Sequence, residues 1–327
     1  MSSKKKKKVS HKRAIKDEMK GKIREEHKND ETKKTYNVGV NSFVEYCHKH
    51  HGCKYSFECV DHIQEYIDHL VKEGYSPYTI HTYLAAVCNF YNIPMCNFKK
   101  PIRYAADCTK GRKGNNRIER PDNNPDNPKF AKSVEFQKRV GIRRAEMTRL
   151  TGADFCKDED GYPCVVVRRG KGGKFTMQRI LPEDVEFIES YFKDKKPDEK
   201  IFKEKEISSH MSYHSFRHEN AMRTYNYYLE RIKNEEGYAE QLEEEIRRRW
   251  NKYNIDAETN EPKEFKEELI KDDDYEIKGK NIALAKKKGL PLAYNRLALL
   301  ACSVFHLSHW RLGVTVKNYI LAVDKAD

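Results

Sequence analysis

The sequence predicts a mainly α fold with a small β-hairpin or sheet (α+β), divided into two domains. Three observations predict it. Apolar residues recur at 3- and 4-residue steps through much of the chain, the spacing of one helix face. The stretch RPDNNPDNP at 120–128 can be neither a helix nor a central strand, and it separates two apolar-patterned regions. The segment 162–182, YPCVVVRRGKGGKFTMQRILP, reads as two strands around Gly170-Lys-Gly-Gly173. The 327 residues suit two domains with tails, and 20 Tyr and 14 Phe supply core bulk despite a hydrophobic content of 38%.

Each element follows in chain order. Residues 1–34 are mostly lysine and polar groups, so a basic flexible arm is expected, its weak helical spacing leaving room for a helix around Lys12–Glu26. Residues 35–98 form a small helical domain. Tyr36, Val40, Phe43, Val44 and Cys47 mark one helix, and Val60, Ile63, Ile67, Leu70 and Val71 a second. Gly74 then closes that helix, and Ser76-Pro77 opens a third, carried by Ile80, Leu84, Val87, Cys88 and Tyr91 and stopped by Pro94. A linker is expected over 99–128, its basic half from Lys99 to Arg120 suited to lie along a phosphate backbone. The second domain, 129–327, is expected to hold helices near 129–139, 144–151, 183–194, 214–230 and 291–305. Between the last two, about 231–290, the chain is dense in charge, with 17 acids and 14 bases over 226–290. Long exposed helices broken near Asn260-Glu-Pro262 are expected there. There is no internal repeat.

Charge and cysteine usage narrow the function. The net charge is +13, and residues 1–35 alone carry 14 Lys/Arg against 6 Asp/Glu. A basic arm on a nearly balanced body points to a polyanion partner, or more blandly to a solvated tail. No apolar run approaches the roughly 20 residues that span a bilayer, which excludes an integral membrane protein. No apolar segment follows the first charges, which argues against a signal peptide. Nine scattered cysteines without a pairing framework suggest a reduced, intracellular protein. Cys47, His48, His50, His51, Cys53, Cys59 and His62 lie close in sequence, but no CxxC pair has a distant partner pair, so neither metal nor cofactor is expected.

Four clusters in the second domain carry chemistry: Gly141-Ile-Arg143-Arg144-Ala-Glu146, Gly170-Lys171-Gly-Gly-Lys174, His214-Ser-Phe-Arg217-His218, and His309-Trp310-Arg311 followed by Tyr319. His214 and Arg217 share a helix face, and a helix N-terminus suits an anion. Arginine offers a planar fork for two phosphate oxygens. A lysine on a hairpin tip is a proton donor. Taken singly, each pattern is more often a surface pair, a solvated turn or a core tyrosine.

Their order and spacing resemble the catalytic domain of tyrosine recombinases, the phage-integrase family. GIRRAEMTRLTGADF is similar to that family's first arginine box, GKGGK to its hairpin lysine, HSFRHENA to its His-x-x-Arg box, and LSHWRLGVTVKNYI to its ending. The helical region 35–98 resembles the family's N-terminal core-binding domain.

The resemblance implies metal-independent breakage and rejoining of double-stranded DNA. Tyr319 would be the nucleophile that forms a 3′-phosphotyrosine. Arg143 and Arg217 would clamp the phosphate, and His309 would donate to it. Lys171 would protonate the leaving 5′-oxygen, and His214 would assist at the tyrosine. Glu146 would orient the cluster, and His218 would be structural. Arg144 and Lys174 are the neighbouring alternatives to Arg143 and Lys171. The family context also implies a two-domain, C-shaped DNA clamp acting as a homo-tetramer on two DNA sites, accessory DNA-binding proteins, a prokaryotic cytoplasmic setting and a mobile element. Two other readings stay open: a catalytically silent DNA-binding accessory factor, and a type IB topoisomerase.

The sequence also departs from the family pattern. Arg217 and His309 are 92 residues apart, so the charged segment reads as an insertion. Ser308 stands where a glycine is usual. His309 and Tyr319 are 10 apart, one residue longer than in the best-known members, and the extra residue is expected in a flexible loop.

Overall fold

The computed structural model describes residues 10–104, 124–170, 173–208, 211 and 213–321. The chain divides into two compact units, Met1–Lys113 and Gly114–Asp327. Most of the expected linker, 105–123, falls outside the described residues. Among the described residues no helix is long and apolar enough to cross a membrane.

The first unit is built of five helices: α1 (His11–Glu26), α2 (Asp30–His51), α3 (Ser56–Cys59), α4 (Ile63–Lys72) and α5 (Pro77–Tyr91). Their ends follow from local chemistry. The Asn29 side chain accepts from the Glu31 and Thr32 amides at the start of α2, and Gly52 ends it at a φ of 68°. Ser76 caps α5, with Pro77 in its first turn. Val40, Phe43, Val44, Ile63, Ile67, Leu70, Ile80, Leu84 and Val87 then meet in one core. Val71, expected on that face, is half exposed.

The basic N-terminal segment corrects the sequence reading. From residue 11 onward the expected flexible arm gives way to an ordered helix, α1, which matches the helix allowed around Lys12–Glu26. Ile15, Met19 and Ile23 recur at four-residue steps along α1 and are fully buried in the core of this unit. Burying each such side chain contributes about 1.5–3 kcal/mol, enough to fix a helix that propensity alone would leave marginal. Lys12 and Lys16 both pair with Glu45 of α2, so part of the positive charge serves the fold.

The second unit mixes helices with a small sheet. It runs α6 (Ala131–Val140), the single turn α7 (Arg144–Met147), strands β1 (Phe155–Lys157), β2 (Pro163–Val167) and β3 (Thr176–Arg179), α8 (Val185–Glu189) and α9 (Tyr213–Asn234). Then come α10 (Tyr238–Tyr253), β4 (Tyr275–Glu276), α11 (Lys280–Lys287), β5 (Ala293–Tyr294), α12 (Arg296–Ala301) and α13 (Leu312–Thr315). The expected hairpin gains β1 as a third strand, giving an antiparallel order β1-β2-β3 with Val165 opposite Gln178 and Val166 opposite Met177. The helix expected over 144–151 shrinks to α7, because Thr151 leaves it to bridge to Lys200.

Side chains alternate across the sheet. Val165 and Val167 enter the main core with Phe136, Val140, Ile142 and Phe216. Cys164, Val166 and Met177 face the other way, where Tyr253 of α10 packs against them. This corrects a second expectation, that the charged segment forms long exposed helices. Leu242, Glu245, Ile246, Arg249 and Trp250 of α10 are buried. Its two buried charges, Glu245 and Arg249, are taken up in an ion-pair network. Arg179 of β3 reaches Asp158 at 2.7 Å, Asp160 at 2.6 Å and Glu245, while Arg249 donates to Asp158 at 2.6 Å and to the Met177 carbonyl at 3.0 Å.

Candidate active site

The site is organised by α9, whose inward face places Phe216, Arg217, Asn220, Ala221 and Thr224 in the core. Arg217 is fully buried. Its Nη1 donates to the Gly141 carbonyl and its Nη2 to the Leu307 carbonyl at 2.9 Å. Its Nε is buried with no partner among the described residues. Burial lowers its pKa from the ordinary guanidinium value. Gly141 lets this happen. It ends α6 at a φ of 66°, and a Cβ there would lie 2.6 Å from Asn220 Oδ1. The Asn220 amide in turn donates to the Lys138 and Arg139 carbonyls at the end of α6.

Arg143 opens α7 and is held by Glu146. The carboxylate takes the Arg143 amide at 2.8 Å and the guanidinium at 2.7 Å. Glu146 is 5% exposed and Arg143 about a third, so the arginine keeps a solvent-facing edge. Arg144 is exposed on the outer side of this turn. The hairpin approaches the same carboxylate: a Cβ built on Gly170 would lie 3.4 Å from Glu146 Oε1. Gly170 and Lys174 close the turn through a 2.7 Å backbone bond. Lys171 itself lies outside the described residues, and Lys174 is exposed.

The C-terminal groups come from two widened helical turns. After α12, Leu307 N donates back to Cys302 O, five residues earlier, at 3.2 Å. The chain then turns through Ser308 at a φ of 57° into His309. After α13, Leu321 N donates to Val316 O at 2.9 Å, again across five residues. Tyr319 sits in this π turn and is 5% exposed. The expected flexible loop is therefore absent at this point. The longer His309-to-Tyr319 spacing is taken up inside a helix, where a π turn accommodates one residue more than an α turn.

His309 is neutral near pH 7. Burial, then the Arg217 charge, then Arg311 and Arg143 push it down to about 3. Its Nδ1 accepts the Arg311 amide at 3.4 Å, so the ring proton belongs on Nε2. That Nε2 is buried with no partner among the described residues.

These groups converge on one ring. The Arg217 guanidinium carbon is 5.3 Å from the Tyr319 ring centroid. The His309 ring stacks on it at 6.0 Å, and the His214 and His218 rings lie at 5.4 and 5.8 Å. The structure thus gathers His214, Arg217, His218, His309 and Tyr319, with Arg143 close enough to act on the charge of both Arg217 and His309. The carbonyls of Gly141 and Leu307, which anchor Arg217, were not foreseen, since a backbone acceptor leaves no residue-type signal. The Cys/His-rich stretch divides into two groups. Cys47, Cys53 and Cys59 are buried in the first core, whereas His51 and His62 stack on each other and turn to Glu65 at the surface.

With this geometry in place, comparison with known proteins adds one finding on the first unit. Residues 23–95 match the family model described as the phage integrase N-terminal SAM-like domain. The matched stretch runs from the last turn of α1 through all of α2 to α5, and over it the chain is similar to that domain of phage integrases. No curated protein matches the chain.

Proposed function

We propose that this protein is a site-specific DNA recombinase that cuts and rejoins strands through Tyr319. The observation that carries the reading is the pair of buried, unpartnered donors, Arg217 Nε and His309 Nε2, both set against the Tyr319 ring. Buried donors without acceptors are costly in an apolar interior, and an anion relieves them. The integrase-type domain at 23–95 supports DNA as the partner. In the reaction, Tyr319 Oη bonds to the scissile phosphorus and loses its proton, with His214 assisting. The P–O5′ bond breaks, and Lys171 supplies the proton to the departing 5′-oxygen. Arg143, Arg217 and His309 stabilise the charge that gathers on the non-bridging oxygens. The freed hydroxyl of a second strand reverses the step. Phosphodiester energy is kept in the phosphotyrosine bond, so no nucleotide is consumed, and the resemblance implies that no metal is needed. The resemblance further supports a tetramer acting on two duplexes of a mobile element.

The test is a covalent trap on nicked DNA from the ends of the genetic element that encodes the protein. Wild type is expected to give an SDS-resistant, protease-sensitive protein–DNA band in the presence of EDTA, and Tyr319→Phe none while still shifting the same DNA. A band surviving in the variant would assign the nucleophile elsewhere. Binding without a band in wild type would favour the silent accessory factor. Relaxation of supercoiled DNA without any site preference would favour the topoisomerase.

A further inference from the structure

The segment between α9 and β5 touches the C-terminal part of the site at three separate places. Trp250 of α10 is 5% exposed and meets Trp310 edge to face at 4.9 Å, one residue from His309. Trp250 is itself fixed by its indole N–H, which donates to the Lys263 carbonyl at 2.7 Å, and by the Phe265 ring at 5.4 Å. Tyr275 of β4 lies over α13, and a Cβ on Gly313 would come within 2.9 Å of its hydroxyl. Only glycine allows that approach. Lys288, just past α11, donates from Nζ to the Leu321 carbonyl at 2.9 Å, at the end of the π turn that holds Tyr319. The same α10 is bolted to β3 through Arg249, Glu245 and Arg179, so it has a rigid base from which to act.

We infer that the inserted segment, residues 231–290, is a built-in brace that positions His309 and Tyr319. It is neither a passive surface loop nor an independent module. A π turn is intrinsically less regular than an α turn, and His309 follows a residue with positive φ. Neither would hold its side chain to within the fraction of an ångström that catalysis needs without outside support. Trp250, Tyr275 and Lys288 supply it as positioning residues, acting through Trp310, Gly313 and Leu321. The inference rests on the recombinase reading for its functional meaning, but the brace itself is a physical claim about 307–321.

The experiment combines amide hydrogen exchange on the full-length protein with the covalent trap, using Trp250→Ala, Trp250→Phe and Lys288→Met. In Trp250→Ala and Lys288→Met, exchange across 307–321 is expected to quicken by about tenfold or more while α9 stays protected, since a local opening is being released. Cleavage is expected to slow about tenfold with DNA affinity within about twofold, the pattern of a misplaced reacting group. Trp250→Phe keeps an aromatic edge on Trp310 and should restore both. Unchanged exchange across 307–321 in both weakened variants would overturn the brace. Equal loss of affinity and cleavage, with α9 also exposed, would reduce it to general stability and overturn the positioning role. Wild type without a Tyr319 adduct, but with the exchange response present, would overturn the recombinase reading and leave the brace supported.

Discussion

Single residues here do work that their chemical type alone would not suggest. Gly141 is the clearest case. Its positive φ ends α6, its carbonyl anchors Arg217, and its missing side chain leaves room for Asn220. Gly141→Ala should destabilise the second unit by about 2–4 kcal/mol, combining left-handed backbone strain with a displaced, buried amide. Urea unfolding would measure it, and a change below the error of that method would show that Asn220 moves aside freely. Arg217 itself was legible as a phosphate-binding candidate, because His-x-x-Arg on a helix has a recognisable spacing. Its complete burial was not legible. That depends on where Gly141 and Leu307 bring their carbonyls, which only the folded chain decides.

At the scale of elements, legibility tracked apolar periodicity. The patterns around Phe43, Ile67 and Leu84 announced α2, α4 and α5, and the turn at Gly74 to Pro77 announced the break between two of them. Where burial is achieved with charge, the pattern failed. Ile15, Met19 and Ile23 are three apolar residues in a lysine-rich run, too few to outweigh the composition. In α10, Glu245 and Arg249 look solvated in sequence and are 1% and 4% exposed in the fold. They are tolerated because each meets an opposite charge across the sheet. Breaking that network from one side should be severe: Arg179→Ala leaves Glu245 buried without a counter-charge and Asp158 with Arg249 alone, and should cost about 3–5 kcal/mol. Thermal unfolding would read this as a large fall in midpoint. A small fall would mean that water enters to solvate the acids.

The whole second unit should be acid-sensitive for a reason separate from its carboxylates. His306 is completely buried against the Tyr228 hydroxyl, and burial together with Arg179 and Arg249 pushes it down to about 3; burial and the Arg217 charge push His309 equally low. Both fold as neutral rings, whereas in the unfolded chain they titrate near the ordinary value of 6.5. Above that pH neither state binds the proton and stability is unaffected. As pH falls below it, the unfolded chain takes up protons that the fold refuses, and stability declines until about pH 3. Each histidine contributes a slope of at most about 1.4 kcal/mol per pH unit. Urea midpoints at pH 7, 6 and 5 should therefore fall progressively, and His306→Gln should flatten the slope. A level profile from pH 7 to 5 would show that both rings take up the proton in the fold.

The π turn at Val316–Ile320 has a consequence for the angular bookkeeping of the C-terminus. An α-helix advances about 100° per residue, so one residue more or less swings every later side chain by that angle around the axis. The turn stores one residue of slack. Removing Lys317, which is partly buried in that turn, is expected to let the helix close to regular α geometry at little cost in stability. Yet Tyr319 would then follow Val316 by two residues instead of three. The phenol would be carried off the rings of His309 and His214 toward a different quadrant. Such a deletion should separate folding from chemistry: a well-folded, DNA-binding chain, silent in the covalent trap. On the recombinase reading, the irregular turn acts as an indexing notch that aims the Tyr319 hydroxyl.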